Sequence, residues 1–324
     1  ANKSNDMRKS ANRITILRDM DKDGKPDVKE TFLSGLNQPF GMLLLKNNFY
    51  VANTDALWMF PYKKGALTIT GEGKKITDLP AGKINRHWTR NIISNSKGNK
   101  IYIAIGSGTN VAEKGLDEEK DKAQIWEINP DGSGLKVYAS GLRNPVGMDW
   151  APGTQTLWVA VNERDELGDD LVPDYITGVK RGGFYGWPYA YFGQHIDPRI
   201  EAKDQQPELV KKAIVPDVGL GAHTASLGLL FYTGKQFPPK YRNGAFVAQH
   251  GSWNRSVLAG YKVMFIPFKN GKPAGEEEDF LTGFIIEPDG KKVHGRPVGL
   301  AMLSDGSMLV TDDTSDIIWR VSAE

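Results

Sequence analysis

Five histidines, His87, His195, His223, His250 and His294, all stand in loop-like segments (NRHWTRN, FGQHIDP, GAHTASLG, AQHGSWNR and VHGRPVG) and outside the apolar runs. An imidazole in such a place can move a proton near neutral pH, although a lone loop histidine is commonly a structural hydrogen-bonder. Two further stretches carry acids in patterns that suit a hard cation. Asp19-Met-Asp21-Lys-Asp23-Gly24, continued by Asp27 and Glu30, matches D-x-D-x-D-G-x5-E. There alternating carboxylates wrap one calcium, Gly24 permits the sharp turn, and Glu30 closes the shell bidentately. The flanks RITILR and VKETFL read as strands, so the pattern predicts a metal-binding hairpin loop rather than an EF-hand. The plainer alternative is a DG turn with surface acids. Residues 162–170, NERDELGDD, hold five carboxylates, Glu163, Asp165, Glu166, Asp169 and Asp170. These repel one another unless solvated or neutralised, and a solvated loop and a calcium loop stay equally open.

The elements that must position these residues are short β runs, at 13–17, 48–52, 100–105, 156–161, 244–249, 261–267, 307–311 and 317–321. The 36 Gly and 18 Pro are spread along the chain, which suits many tight turns and leaves no linker. A weak repeat is present: Pro39-Phe-Gly-Met42, Pro145-Val-Gly-Met148, Ser226-Leu-Gly-Leu229 and Pro297-Val-Gly-Leu300 each precede a turn and a strand. A related unit follows Arg90. Units of ~40–50 residues are the size of a propeller blade. Dividing 324 residues by six gives about 54 per unit. The expectation is therefore an all-β, six-bladed β-propeller of four-stranded antiparallel blades, a single domain over 1–324. Its ring would be closed by the N-terminal run 13–17 and the C-terminal run 317–321, removing exposed edges. A pair of β-sandwiches is the alternative. In a propeller the loops entering the innermost strands converge, and His87, Arg143, His223 and Arg296 stand at or just before the repeat's PxG position. That repeat phase points to a shared site.

Composition removes other classes. Without cysteine there is no disulfide scaffold, thiolate zinc site, cysteine nucleophile, iron–sulfur cluster or attached c-type haem. Lys and Arg number 41 against 39 Asp and Glu, a net charge of +2 with no long basic run, which argues against nucleic acid as a partner. No apolar stretch approaches the ~20 residues of a membrane-spanning helix. The polar start, ANKSND, is not a signal peptide and suits a mature end whose leader has been removed.

HWTRN, the run of residues 106–110, SGLRNPVGM, NERDELGDD, GGFYGWP, GAHTASLG, QHGSWNRS and HGRPVG follow in this order through the chain. Together they closely resemble the soluble glucose/sorbosone dehydrogenase family, and most of all its L-sorbosone dehydrogenase-like branch, over roughly residues 13–322. The resemblance implies a quinoprotein that uses pyrroloquinoline quinone (PQQ) and calcium on a six-bladed propeller. It would oxidise an aldose, or an osone such as sorbosone, to the lactone or acid and pass electrons to an external acceptor. It implies a periplasmic or secreted protein whose leader is absent from this chain.

By the same resemblance His87 is the catalytic base and Arg143 the arginine that holds the quinone carbonyl and stabilises charge developing there. Asn144 is a cofactor-binding neighbour, and Arg296 pairs with PQQ carboxylates. His294 stands where glucose-type members have a second arginine. Asn254 or Arg255 falls near the family's cofactor-binding lysine, with the register open. His223, in phase with these, joins the cofactor-binding set. The backbone carbonyls of Asp165 and Glu166 are the implied calcium ligands, and that ion would also polarise the quinone. Two departures stand out. Ser107 occupies the place of an aspartate that supports the histidine in glucose-type members, and Asp165-Glu166 replaces a Gly-Pro. Both weigh against glucose as the substrate. Other readings are a calcium-dependent lactonase-type hydrolase, which has no need of converging arginines, and a propeller that binds a ligand without catalysis.

Overall fold

A computed structural model describes residues 10–21, 23–287, 289 and 292–323. The chain falls into two compact units, Asn2–Val137 and Tyr138–Glu324. In the first, Ile14–Arg18 and Val28–Leu33 form an antiparallel hairpin whose loop carries the acidic motif. A four-stranded antiparallel sheet follows in chain order, Gly41–Leu45, Asn48–Ala52, Ala56–Pro61 and Lys74–Asp78. Next come Ile92–Ser94, Ile101–Ile105 and Gln124–Ile128, again antiparallel neighbours. The division between the units falls inside the strand Lys136–Ser140.

The second unit repeats the pattern. Pro145–Trp150, Leu157–Val161, Pro173–Gly178 and Val218–Ala222 make one four-stranded sheet, and Ser226–Phe231, Ala245–Gln249, Lys262–Ile266 and Glu278–Leu281 make another. Pro297–Met302, Met308–Asp312 and Ile317–Val321 form a three-stranded sheet. These are the blades of an all-β propeller fold, mostly four-stranded and antiparallel. The described residues form five of them, not the six expected. The count of six divided the length evenly, but residues 179–217 are spent on two-residue strands and a four-residue helix, Pro207–Val210. The first strand pair is a hairpin, not a blade.

Strand burial follows from sequence. Ile101–Ile105, Leu157–Val161 and Ala245–Gln249 are apolar or small almost throughout and are buried at every position, as strands covered on both faces must be. Trp158 packs edge-on against Phe268 and Phe231, ring centroids 4.8 and 6.3 Å away. Phe246 and Phe265 lead a second aromatic cluster at 5.0 Å.

The repeat's glycine has a packing cause. A Cβ on Gly147 would lie 2.5 Å from Leu229 N and 2.7 Å from Leu227 O. On Gly41 it would collide with Arg90 O, and on Gly228 with Val298 O. These glycines let one innermost strand approach the start of the next. The same strands carry the loops that hold Arg143, His223 and Arg296.

Candidate active site

In the first unit, His87 is set by a buried scaffold. Its Nδ1 lies 3.0 Å from Ser107 O and 2.9 Å from Ser107 Oγ. The Ser107 hydroxyl donates to Thr109 O at 2.6 Å, so toward His87 its oxygen acts as an acceptor. Both atoms facing Nδ1 accept, which places the proton on Nδ1 and leaves Nε2 as the basic nitrogen. Ser107 is fully buried and stands where the sequence suggested a missing carboxylate.

Arg90, also fully buried, fixes the loop from beneath. It donates from Nη1 to His87 O (2.7 Å) and Thr89 O (2.9 Å), and from Nη2 to Pro80 O and Asn85 Oδ1 (both 2.8 Å). Burial pulls its guanidinium down to about 10. The buried Glu119 accepts from Gly108 N and Thr109 Oγ1, each at 2.6 Å, and Lys122 Nζ donates to Ile84 O at 2.7 Å. Sequence reasoning missed Arg90, Asn85 and Glu119. The available signal was a charge set against the apolar run that begins at Ile92.

In the second unit the loop 162–170 is gripped from several sides. Arg143, 2% exposed, donates through Nη1 to Glu163 O (2.6 Å) and Asn162 O (3.2 Å), and through Nη2 to Asp165 Oδ2 (3.4 Å). Burial lowers its pKa against the pull of Asp165 and Glu163. His223 faces Asp165 Oδ1 at 3.2 Å with Nδ1 and Gly168 O at 2.8 Å with Nε2. Burial alone would depress this imidazole, but the bonds to Asp165 and Gly168 outweigh it and raise its pKa. Arg255 donates to Asp169 O at 2.6 Å. Asp174, wholly buried, accepts from Glu163 N, Ser226 N and Thr224 Oγ1, and burial pushes its carboxyl up to about 7.

Below this loop lies an ion cluster the sequence did not flag. Arg164 is fully buried and bonds Glu163 Oε2 (3.1 Å) and Asp197 Oδ2 (3.0 Å). Arg199 grips Asp197 with Nε and Nη2 (2.9 and 2.8 Å) and donates from Nη1 to Asp165 O at 2.6 Å. The carbonyl expected to hold calcium therefore accepts from a guanidinium. Glu166 is exposed, in a left-handed backbone conformation with φ 72°.

Arg296 donates to His250 O (3.0 Å) and Gly251 O (2.6 Å) and lies over the Tyr261 ring at 5.3 Å. His250 Nε2 pairs with Asp313 Oδ1 at 2.8 Å. Asn144 is buried with its Oδ1 unpartnered. Asn254 is half-buried beside Arg255, whereas His294 is exposed. The structure thus gathers Arg143, Asp165, His223 and Arg255 on one loop, and leaves Glu166 and His294 facing outward. In the N-terminal hairpin, ligand atoms of Asp19, Asp21 and Asp27 lie within 4.8 Å of one another. Asp23 stands outside that group and accepts from Lys25 N. Glu30 is drawn into the ladder opposite Ile16.

The sequence pattern of the TrAA12-like family matches residues 14–174 and 191–324. The chain belongs to the TrAA12-like family. Within reach of this TrAA12-like chain, an uncharacterised protein of Borreliella burgdorferi is 32% identical over 305 residues, 91% of this chain and 78% of that protein. Aldose sugar dehydrogenase YliI of Escherichia coli (strain K12) is 24% identical over 272 residues, covering 76% of this chain and 65% of YliI, just under two thirds of its length. Among solved structures, the calcium structure of the Trichoderma reesei carbohydrate-active enzyme of family AA12 superposes with a TM-score of 0.82 at 18% identity, over 97% of this chain and 89% of that one. The holo form of the pyranose dehydrogenase PQQ domain from Coprinopsis cinerea gives 0.76 at 19% identity, over 94% and 86%. At such identities the structural likeness is one of fold.

Proposed function

We propose that this TrAA12-like protein is a PQQ-dependent sugar oxidoreductase acting in the periplasm or outside the cell. It oxidises an aldose, or a sorbosone-like osone, to the lactone or acid and hands electrons to an external acceptor. No helix among the described residues is long and apolar enough to cross a membrane. The observation that carries the reading is the fixed tautomer of His87. With Nδ1–H held by Ser107 O and Oγ, Nε2 accepts the proton of a sugar hydroxyl. Arg90 keeps the histidine's backbone in place while that proton moves.

PQQ is a planar quinone with three carboxylates and a pyrrole N–H, and when bound it takes up the two electrons that leave the sugar. The residues of the second unit fit it on the orphaned Asn144 Oδ1, a buried acceptor beside a buried arginine. Arg143, Asn144, Arg255 and Arg296 would hold it, with His223 and Asn254 at the margin. Calcium does not fit loop 162–170, where the carbonyls of Glu163, Asp165, Gly168 and Asp169 already accept from cationic side chains. In this reading calcium belongs to Asp19, Asp21 and Asp27, where it steadies the hairpin loop.

The test is an absorbance titration of the purified protein with PQQ, followed by a panel of aldoses and osones with a dye acceptor. One-to-one saturation, bleaching of the quinone band by a sugar, and loss of turnover with retained PQQ binding in His87→Ala are expected. No saturable binding at micromolar PQQ, or an unchanged turnover in His87→Ala, defeats the proposal.

A further inference from the structure

We infer that loop 162–170 is closed by the chain's own cationic side chains and takes up no divalent cation, with Arg199 standing at the carbonyl a metal ion would need. A calcium ion requires six to eight oxygens, and loops supply several of them as backbone carbonyls. Here five of the carbonyls of residues 162–170 are already engaged. Asn162 O and Glu163 O accept from Arg143, Asp165 O from Arg199, Gly168 O from His223 and Asp169 O from Arg255. Most of the carboxylates are engaged as well. Asp165 faces His223 and Arg143, Glu163 Oε2 binds Arg164, Asp170 pairs with Arg255, and Asp169 accepts from Ser256 N. Glu163 Oε1 is left buried without a partner and Glu166 is exposed, which is far short of the shell of six to eight oxygens that calcium needs.

The charges nearly offset. Glu163, Asp165, Asp169 and Asp170, with Asp197 beneath them, are set against the guanidiniums of Arg143, Arg164, Arg199 and Arg255 and the imidazole of His223, whose two nitrogens both face acceptors, while Glu166 is exposed outside this set. A further divalent charge would meet like charge at each carbonyl. Arg199 is no loose surface side chain that an ion would brush aside. Its fork on the fully buried Asp197 is two-pronged, and Asp197 Oδ1 also accepts from Arg199 N at 3.0 Å. Arg199 is thus a positioning residue, which fixes the loop's shape without contact with a substrate.

The inference does not rest on the quinone reading, and its test uses metal alone. Chelator-stripped full-length protein is titrated calorimetrically with calcium, and its crystals are soaked in a terbium salt for anomalous scattering. The same titration is run on the Asp19→Asn/Asp21→Asn/Asp27→Asn variant. The expected result is at most one calcium per chain, lost in the triple variant, with the terbium peak confined to the hairpin loop. Absence of calcium uptake together with a loop 162–170 free of terbium also upholds it. A terbium peak within ~2.6 Å of the carbonyl oxygens of residues 162–169, with Arg199 displaced from Asp165 O, overturns it.

Discussion

Pro145-Val-Gly147-Met148 and Pro297-Val-Gly299-Leu300 are the same motif, yet the structure assigns their glycines different burdens. A Cβ at 147 meets Leu229 N at 2.5 Å, Leu227 O at 2.7 Å and Gly228 C at 2.8 Å, all backbone. Ordinary contact between carbon and a polar backbone atom begins near ~3.3 Å, so Gly147→Ala forces the strands apart by about half an ångström or more. The atoms in the way are tied into the ladder between Ser226–Phe231 and Ala245–Gln249. Overpacking of this kind costs about 1–3 kcal/mol, and more where the backbone must yield; we expect ~3 kcal/mol. A Cβ at 299 meets Thr311 Oγ1 at 3.0 Å and then nothing nearer than 3.8 Å. Thr311 Oγ1 accepts from Gly299 N at 2.8 Å and needs to give by only a few tenths of an ångström, and alanine regains roughly 0.5–1 kcal/mol over glycine in a strand, so Gly299→Ala should fall within about 1 kcal/mol of wild type. Urea denaturation followed by fluorescence measures both. In thermal melts, the Gly147 variant should drop by roughly 4–5 °C, at about 1.5 °C per kcal/mol for a chain of this length. Equal losses in the two variants, or a loss at 147 below 1 kcal/mol, would refute the view that the repeat's glycine exists for close approach.

Further expectations follow from the site. Ser107→Ala removes one of two acceptors at His87 Nδ1 but keeps the carbonyl, so dye-linked turnover should fall about tenfold, against ~10²–10⁴ for His87→Ala. PQQ affinity should stay unchanged in both. Arg90→Met leaves four acceptors without a donor and should destabilise the protein by roughly 3–5 kcal/mol; a loss under 1 kcal/mol in urea would show the scaffold is dispensable. Burial pushes Asp149 up to about 6 from 3.8, despite bonds from Phe231 N and Trp150 N. A folded-state pKa above the unfolded one means the native state binds more protons between about pH 4 and 6, so stability declines as pH rises through that window, by up to about 3 kcal/mol. Asp149→Asn should flatten that part of the stability–pH profile, and an unchanged slope would exclude Asp149 as its cause.

Much of this was legible in the sequence. The PxG repeat marked the innermost strands, and at Gly41, Gly147 and Gly228 only a residue without a side chain lets neighbouring strands approach so closely. The all-β class followed from turn density and short apolar runs. Blade number was not legible, since the residues of 179–217 read as turn-rich and gave no period. The acidic hairpin was half legible: spacing located Asp19, Asp21 and Asp27, but Glu30 lies in a strand, and ladder pairing governs its place. Arg90 stood as a charge beside the apolar run that begins at Ile92, but its role was not legible because its partners are carbonyls and an amide of its own loop, which only the fold turns toward it. Arg164 and Arg199 were not legible as a pair because they meet on one buried carboxylate, Asp197, which lies 33 residues from Arg164. His87 with Ser107 was legible as a pair, though not the proton assignment, which depends on where the serine hydroxyl points.

The glycine seams bear on how such a chain can be recombined. Gly41 fits against the residues around Arg90, Gly147 against Leu227–Leu229, and Gly228 against Val298. In each case the small residue belongs to one repeat and the surface it accommodates belongs to the next. The unit of duplication is therefore offset from the unit of fit. A single repeat transplanted into another scaffold would bring its own notch but leave behind the ridge cut to match it. Grafts that exchange two consecutive repeats, keeping the seam between them intact, should be the ones that survive.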